Sequence, residues 1–323
     1  MSERVGVVLL HRGDPATPAD AKGWLKTAYA DPLAYRLSFG AEAQRALAGP
    51  LAWWDAKALS QRLNEIGGRS PVVEKVRLLA GALEVKLNAH AQGTAAAKFK
   101  VLPGLRYATP SVAEACRELQ RDGITRIVGV SLYPQQCKRF FDSSGKALSR
   151  EAAEGAEVSL IDRCANPLYF DAVRASVSAA LDRAAGATVL FAALHLDRSD
   201  ALEGDPYPEQ LVAAVEAVMS KLERPHKLSF LELGGPGLST EEMLKKLKES
   251  GVSGVVLCPL GSSVDELEIV HTLDFKLRPL AKSLGYTQIE RAASVSDSPL
   301  FVEALAAQVT EHLTRIGALG FVG

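Results

Sequence analysis

Histidine side chains lie in segments that follow predicted strands, where they could bind a metal or move protons. Three of the six histidines of this 323-residue sequence, His11, His195 and His271, are placed in this way. Neutral imidazole binds transition metals, and its proton exchanges near neutral pH. The sequence has no HExxH motif and no CxxC pair, so a metal site would have to be assembled from separate loops.

The elements that would position these loops alternate along the chain. Short runs rich in Val, Ile and Leu alternate with longer segments of helical period, which predicts parallel sheet covered by helices on both faces. The predicted strands are 5–10, 99–102, 127–131, 188–194, 227–233 and 255–259. The predicted helices are 18–29, 41–63, 71–89, 111–121, 167–184, 208–222, 240–249, 267–284 and 299–314.

An internal repeat indicates two similar halves. Segment 119–128 matches 247–256 at a constant offset of 128 residues, and each has a helix end, a glycine (Gly123 or Gly251) and a buried strand. The repeat favours two doubly wound parallel sheets, which we divide at 1–160 and 161–323. Ligands of such sheets bind beyond the carboxyl ends of the strands, so the loops at 10–15, 103–110, 131–144, 194–207 and 259–271 should face a cleft between the halves.

Composition excludes several classes of function. The 37 Lys and Arg against 38 Asp and Glu leave a net charge of −1, which argues against a nucleic-acid partner held by bulk charge. No apolar stretch approaches the roughly 20 residues of a membrane helix, and the run at 5–10 is too short for a signal peptide. The four cysteines are scattered, which is typical of reduced thiols in a cytoplasmic protein.

Seven short motifs stand in a fixed order from the first strand to the last helix. They are HRGDP at 11–15, DP at 31–32, IGGRSP at 66–71, LRYATP at 105–110, LYPQ at 132–135, GDPYP at 204–208 and DSPLFVEAL at 297–305. In this order they resemble the ferrochelatases of haem biosynthesis, which insert ferrous iron into a porphyrin. The resemblance implies a chelatase-like fold, with two Rossmann-like halves around an interdomain cleft.

The resemblance also implies catalytic residues. The family's glutamate in SDHIETLYE aligns without a gap on Glu268, as a metal ligand and proton acceptor. Its histidine in FSAHGLP falls on Leu194, and His195 occupies the next position. A one-residue shift at a strand end turns a side chain to the other face. Either a bulge brings His195 into the cleft, or the principal base and metal ligand is missing.

Other departures from the family pattern fall in the same loops. His11 replaces the Asn of the opening LLNLGGP, Glu266 the His of SDHIE, and His271 the Tyr of TLYE. Large basic and aromatic side chains replace the family's small hydroxyl residues at 136–144. His195, Glu268 and His271 are the candidate metal ligands. The candidate substrate-binding residues are His11, Arg12, Arg106, Tyr107, Tyr133, Gln135, Lys138, Arg139 and Leu194.

Three hypotheses about function follow. The leading one is a porphyrin- or haem-binding protein of this family whose chelatase activity is weakened or lost. The alternative is an active ferrochelatase that inserts Fe²⁺ into protoporphyrin or coproporphyrin with His195 and Glu268. A cobalt or nickel chelatase is the third, from fold analogy alone. We expect no required cofactor and no iron–sulfur cluster, while peripheral membrane contact and the choice between monomer and homodimer stay open.

Overall fold

The chain forms two four-stranded, all-parallel sheets. The structure is a computed structural model that describes residues 3–35, 40–91, 97–196, 204–232 and 236–318. The first sheet contains β1 (Glu3–His11), β2 (Ala97–Leu105), β3 (Arg126–Ser131) and β4 (Glu157–Ile161). The second contains β5 (Thr188–Ala193), β6 (His226–Phe230), β7 (Gly254–Leu260) and β8 (Gln288–Arg291). Their orders are β2-β1-β3-β4 and β6-β5-β7-β8, so the two sheets have the same topology.

Helices connect the strands and cover the sheets. In the first half they are α1 (Ala21–Tyr29), α2 (Ala41–Glu65), α3 (Val72–Ala91), α4 (Val112–Arg121) and α5 (Lys138–Glu151). The next are α6 (Pro167–Leu181), α7 (Tyr207–Met219), α8 (Thr240–Glu249) and α9 (Leu267–Val270). Helix α9 continues as a π-helical segment (His271–Leu277) and then as α10 (Arg278–Ser283), and α11 (Pro299–Arg315) follows.

The repeat at an offset of 128 residues is confirmed in detail. Gly123 and Gly251 both have positive φ, 66° and 88°, and each ends a helix before the third strand of its sheet. Both helices also begin with a capping box, Ser111 with Glu114 in α4 and Ser239 with Glu242 in α8, at the same offset. The prediction of two similar doubly wound halves is therefore correct.

Three elements were not predicted from the sequence. Edge strands β4 and β8 are short and only partly buried, so they lack the apolar run that identifies a buried strand. The sequence predicts a loop at 131–144, whereas α5 begins at Lys138, and its residues Ser143, Ser144 and Gly145 are buried. Leu233, the last residue of the predicted fifth strand, lies outside the described residues.

One hydrophobic core joins the two halves. Val7 of β1 and Val256 of β7 belong to the same cluster of buried side chains. Helix α11, at the end of the second half, packs against α6 of the same half and against α3 of the first half. The division at residues 160 and 161 stays a prediction, since the first sheet ends at Ile161 and the core is continuous across it.

Candidate active site between the two sheets

A pocket of about 340 Å³ lies where the carboxyl ends of the central strands meet. From the first half it is lined by Arg12, which follows β1, and by Arg139 and Phe140 of α5. From the second half His195, after β5, and Glu268, on α9, reach it. Strand order reverses between β1 and β3 and between β5 and β7, and ligands of doubly wound sheets bind at such points.

The structure orients Leu194 away from the pocket and His195 towards it. Leu194 is 1% exposed; its N–H donates to the Leu260 carbonyl at 3.1 Å, and its carbonyl accepts from the Tyr207 hydroxyl at 3.3 Å. The bond to Leu260 extends the β5–β7 ladder by one residue, and the next residue, His195, joins the lining of the pocket. The side chain that faces the pocket at this strand end is therefore a histidine.

Close packing at this strand end requires a glycine. Gly261 follows β7 with φ = 98°, a conformation that residues with a side chain rarely adopt. A Cβ atom there would lie 2.2 Å from the Tyr207 hydroxyl oxygen and 3.1 Å from the Leu194 nitrogen. Gly261 thus lets β7 turn tightly beside Leu194, the residue that precedes His195.

Arg12 bridges the two halves through two carboxyl groups. Its Nη2 donates to Oε2 of Glu268 at 2.9 Å, and its Nε lies 3.4 Å from Oε2 of Glu266. The Arg12 and Glu268 side chains are 18% and 19% exposed, whereas that of Glu266 is completely buried. Glu268 therefore faces the pocket already paired with a cation, and Glu266 lies behind that cation.

His11 completes this buried cluster. Burial, followed by the charge of Arg12, lowers the pKa of His11 to about 3, so the ring is neutral. Its Nδ1 accepts the Gly13 N–H at 3.0 Å, which places the ring proton on Nε2, 3.4 Å from Oε2 of Glu266. Burial raises the pKa of Glu266 to about 8 against the opposing effect of Arg12. At neutral pH Glu266 therefore holds a proton.

Asp14 clamps the start of the helix that carries Glu268. Its Oδ2 accepts the Leu267 N–H at 2.7 Å and the Ser70 hydroxyl at 2.5 Å. Burial raises the pKa of Asp14, and Arg12 opposes that effect. The loop after β1 thus contacts α9 twice, through Asp14 at Leu267 and through Arg12 at Glu268.

Arg106 and Tyr107, two predicted substrate-binding residues, are engaged within the protein. Arg106 donates through Nη2 to Asp31 at 2.9 Å and through Nε to the Ser143 hydroxyl at 2.6 Å. The Tyr107 hydroxyl donates to the same Asp31 oxygen at 3.0 Å. Although burial opposes it, hydrogen bonds from the Ser143 hydroxyl and the Leu33 N–H, followed by Arg106 and Tyr107, hold the pKa of Asp31 below its usual range. This cluster ties α5 to the segment before α2.

The remaining predicted contacts differ in their position. Tyr133 is 1% exposed and stacks between His11 and Phe140, with ring centres 4.8 and 5.0 Å away. Gln135 is also 1% exposed, so neither of these residues reaches the pocket surface. Lys138 is exposed, and its backbone N–H begins α5 by donating to Asp205 at 3.0 Å. Arg139 lines the pocket, 5.3 Å from the centre of the Tyr35 ring.

The three predicted metal ligands are not brought together. His195 and Glu268 share the pocket, but His271 begins the π-helical segment, and its Nε2 lies 2.6 Å from Oε2 of Glu65 at the end of α2. Within the described ranges, no group of three or more His, Cys, Asp or Glu side chains is arranged to hold a metal ion. The His271 side chain is thus directed towards Glu65 of α2 and not towards the pocket.

Sequence reasoning did not select two residues that organise this site. Asp14 and Glu266 stand in motifs that were compared with the family pattern, but neither was given a role. The sequence feature that could have identified them is the departure from the family pattern: Asp14 stands at a Gly of the opening motif, and Glu266 stands at the His of SDHIE. A departure from a sequence pattern does not show which residues are in contact, so it does not place these two carboxyl groups near Arg12.

The fold is shared with solved chelatases. SirB from Bacillus subtilis, solved with Fe³⁺, is 11% identical and matches 96% of this chain and 95% of its own, with a TM-score of 0.57. CbiX, described as the terminal enzyme of siroheme biosynthesis in denitrifying bacteria, is 13% identical over 96% of this chain and 99% of its own, with a TM-score of 0.52. At these identities the likeness shows a shared fold alone.

Sequence similarity identifies the family within this fold. A family model described as Ferrochelatase matches residues 4–313, and the chain belongs to the ferrochelatase family. It is 32% identical to the ferrochelatase of Geobacter metallireducens over 95% of this chain and 98% of that protein. It is 30% identical to the mitochondrial ferrochelatase of Xenopus laevis over 96% of this chain and 78% of that protein. In the part of the chain that the structure describes, no helix is long and apolar enough to cross a membrane.

Proposed function

We propose that this protein binds a tetrapyrrole between its two halves and inserts a divalent metal, with ferrous iron as the substrate metal. One observation carries the proposal: His195 and Glu268 line the same pocket at the carboxyl ends of β5 and β7. The similarity to proteins named ferrochelatase supports the choice of substrates. The one-residue shift at Leu194 does not count against it, because Leu194 is buried and His195 takes the pocket position.

The pocket supplies what the reaction requires. Insertion replaces the two pyrrole N–H protons with the metal, so two protons must leave the macrocycle. The Glu268 carboxylate and the His195 imidazole are groups that can accept them. Aromatic and aliphatic side chains, among them Trp24, Leu25 and Tyr35, form a wall against which a flat apolar ring can pack. Arg139 is a cation in the same lining that can pair with a carboxylate of the macrocycle.

A second function is favoured by the ion pair of Glu268. Its carboxylate is bonded to Arg12 at 2.9 Å, so a metal that enters the pocket meets a carboxylate already paired with a cation. The protein would then bind porphyrin or haem with weak or no metal insertion. His195 is the candidate haem ligand in that case, since it lines the pocket while His11 is completely buried.

The two functions are separated by one set of assays. Ferrous and zinc ions are offered with protoporphyrin and with coproporphyrin, and metalloporphyrin formation is followed by absorbance. Metal insertion predicts turnover that Glu268→Gln lowers about 10²- to 10⁴-fold, the usual contribution of a general base, while porphyrin binding by fluorescence quenching is retained. Binding of porphyrin at a background rate of insertion supports the second function. Failure to bind any tetrapyrrole contradicts both.

Haem binding has its own matched control. If an imidazole ligates haem iron in the pocket, His195→Ala shifts the Soret band of the complex, and His271→Ala does not, because His271 is held by Glu65. A Soret band that neither substitution moves would count against a histidine ligand in this pocket.

A further inference from the structure

The two carboxyl groups that contact Arg12 differ in their access to the pocket. Glu268 lines the pocket and is 19% exposed, whereas Glu266 is completely buried. The bond to Glu268 is 2.9 Å long, and the contact between Arg12 Nε and Glu266 is 3.4 Å. A ligand in the pocket can therefore displace Arg12 from Glu268, and it cannot reach the Glu266 side.

A metal ion and Arg12 compete for the same carboxylate. Divalent transition metals approach a carboxylate oxygen to about 2.0–2.2 Å, where a guanidinium bonded to the same group repels them. Oε2 of Glu268, the oxygen that accepts from Arg12, belongs to the carboxylate that lines the pocket. The guanidinium therefore competes with a metal for the negative charge of this carboxylate.

Arg12 is itself held from behind by a fixed group. Oε2 of Glu266 lies 3.4 Å from both Arg12 Nε and His11 Nε2. The His11 ring is fixed by the Gly13 N–H and by its stacking on Tyr133. Because Arg12 lies between two carboxyl groups, its 3.4 Å contact with Glu266 opposes movement of the guanidinium towards Glu268.

We propose that Arg12 is an internal competitor of the metal substrate for Glu268, and that Glu266 and His11 are positioning residues that limit this competition. The inference rests on the proposed metal insertion, because it takes Glu268 as the carboxylate that the metal contacts. Its first readout, metal affinity without porphyrin, does not depend on turnover.

The proposal predicts changes of opposite sign. Arg12→Met raises the affinity of Glu268 for Co²⁺ or Zn²⁺ by about ten- to a hundredfold, the factor that one charge-assisted hydrogen bond is worth. Glu266→Leu removes the carboxyl group behind Arg12. The guanidinium then interacts with Glu268 alone, which lowers the affinity of Glu268 for the metal. Glu266→Gln keeps a carbonyl acceptor and returns the affinity towards that of the wild type. In an Arg12→Met background, Glu266→Leu has no effect on metal affinity.

Affinity is measured by calorimetry and by the visible spectrum of bound Co²⁺, and the KM for the metal is measured at saturating porphyrin. Arg183→Met is the matched control, since Arg183 pairs with Glu290 at 3.0 Å on the surface of the second half. Thermal unfolding shows whether each variant is folded. A structural role alone predicts that Arg12→Met and Glu266→Leu both weaken metal binding and that their effects add.

The inference is overturned if Arg12→Met leaves metal affinity unchanged or lowers it, or if Glu266→Leu acts equally with and without Arg12. Its failure differs from failure of the proposed function. If metal affinity shifts as expected and no variant inserts metal, the competition is real and the proposed reaction is wrong. If insertion occurs and the KM for the metal is insensitive to Arg12→Met, the reaction stands and the competition is wrong.

Discussion

Nε2 of His11 lies 3.4 Å from Oε2 of Glu266, and both side chains are completely buried. Each residue departs from the ferrochelatase pattern, His11 from the Asn of LLNLGGP and Glu266 from the His of SDHIE. Arg12 and Asp14, which stand at a Leu and a Gly of the same opening motif, contact the segment of Glu266 to Glu268. Departures some 250 residues apart in sequence therefore form one cluster, which indicates that they compensate one another.

The pairing of His11 with Glu266 predicts strong coupling between substitutions. His11→Asn and Glu266→His each disturb this completely buried 3.4 Å contact, at a cost of about 0.5–3 kcal/mol in the free energy of unfolding. The double variant restores the family's Asn and His at this contact, so its cost should be smaller than the sum by about 0.5–3 kcal/mol. Urea unfolding measures all four proteins. Additivity within about 0.5 kcal/mol would mean that the two positions are independent.

The same two residues predict how stability depends on pH. Glu266 has a pKa of about 8 in the folded protein against 4.5 ordinarily, so its contribution is complete below pH 4.5 and is lost as pH rises through about 8. His11 has a pKa of about 3 against 6.5, so its contribution is complete above pH 6.5 and is lost as pH falls through about 3. Between pH 4.5 and 6.5 the two slopes oppose each other. Their combined effect is a plateau with a decline on each side.

Substitutions at the two residues separate the decline in stability at high pH from the decline at low pH. Glu266→Gln cannot ionise, so it should remove the decline between pH 6.5 and 8, and His11→Asn should remove part of the decline below pH 4.5. The free energy of unfolding is measured by urea titration across this range, and each variant is compared with the wild type at every pH. A wild-type decline above pH 6.5 that Glu266→Gln leaves intact would show that another group causes it.

Repeated local signals made much of the fold predictable. The glycines at 123 and 251 end equivalent helices, and the apolar strands that follow them are buried on both faces. Helix α5 could not be predicted in this way, because its buried face includes Ser143, Ser144 and Gly145. Those small residues are buried through tertiary contacts, such as that of Ser143 with Arg106, which a pattern of hydrophobicity does not record.

The candidate site was predictable as a set of loops and only partly as a set of contacts. Glu268 and His195 were chosen from the sequence, and both line the pocket. Which of Leu194 and His195 faces the pocket depends on how β5 ends beside Gly261, and therefore on a contact with the other strand. Likewise, His271 follows Glu268 closely in sequence, but a partner on α2 decides its direction.

Gly261 is expected to tolerate a side chain less well than Gly251. Its φ of 98° costs about 1–2 kcal/mol for any other residue, and the 2.2 Å approach of a Cβ to the Tyr207 hydroxyl adds about 1–3 kcal/mol of overpacking. Gly251→Ala is the matched control, because Gly251 has φ = 88° and open space around its Cα, so only the first cost applies. Urea unfolding of the two variants should therefore differ by the overpacking cost.

Tyr207→Phe tests the cause of that difference. It removes the hydroxyl oxygen that a Cβ at position 261 would meet, and it leaves the contacts with the Leu194 nitrogen at 3.1 Å and with Cζ of the ring at 3.3 Å. Added to Gly261→Ala, it should recover most of the overpacking cost while the cost of the left-handed backbone stays. Because Tyr207 also bonds to the Leu194 carbonyl, the single Tyr207→Phe variant should lose about 1 kcal/mol. If Gly261→Ala and Gly251→Ala are equally stable, the close approach of β7 to Tyr207 does not restrict position 261 to glycine.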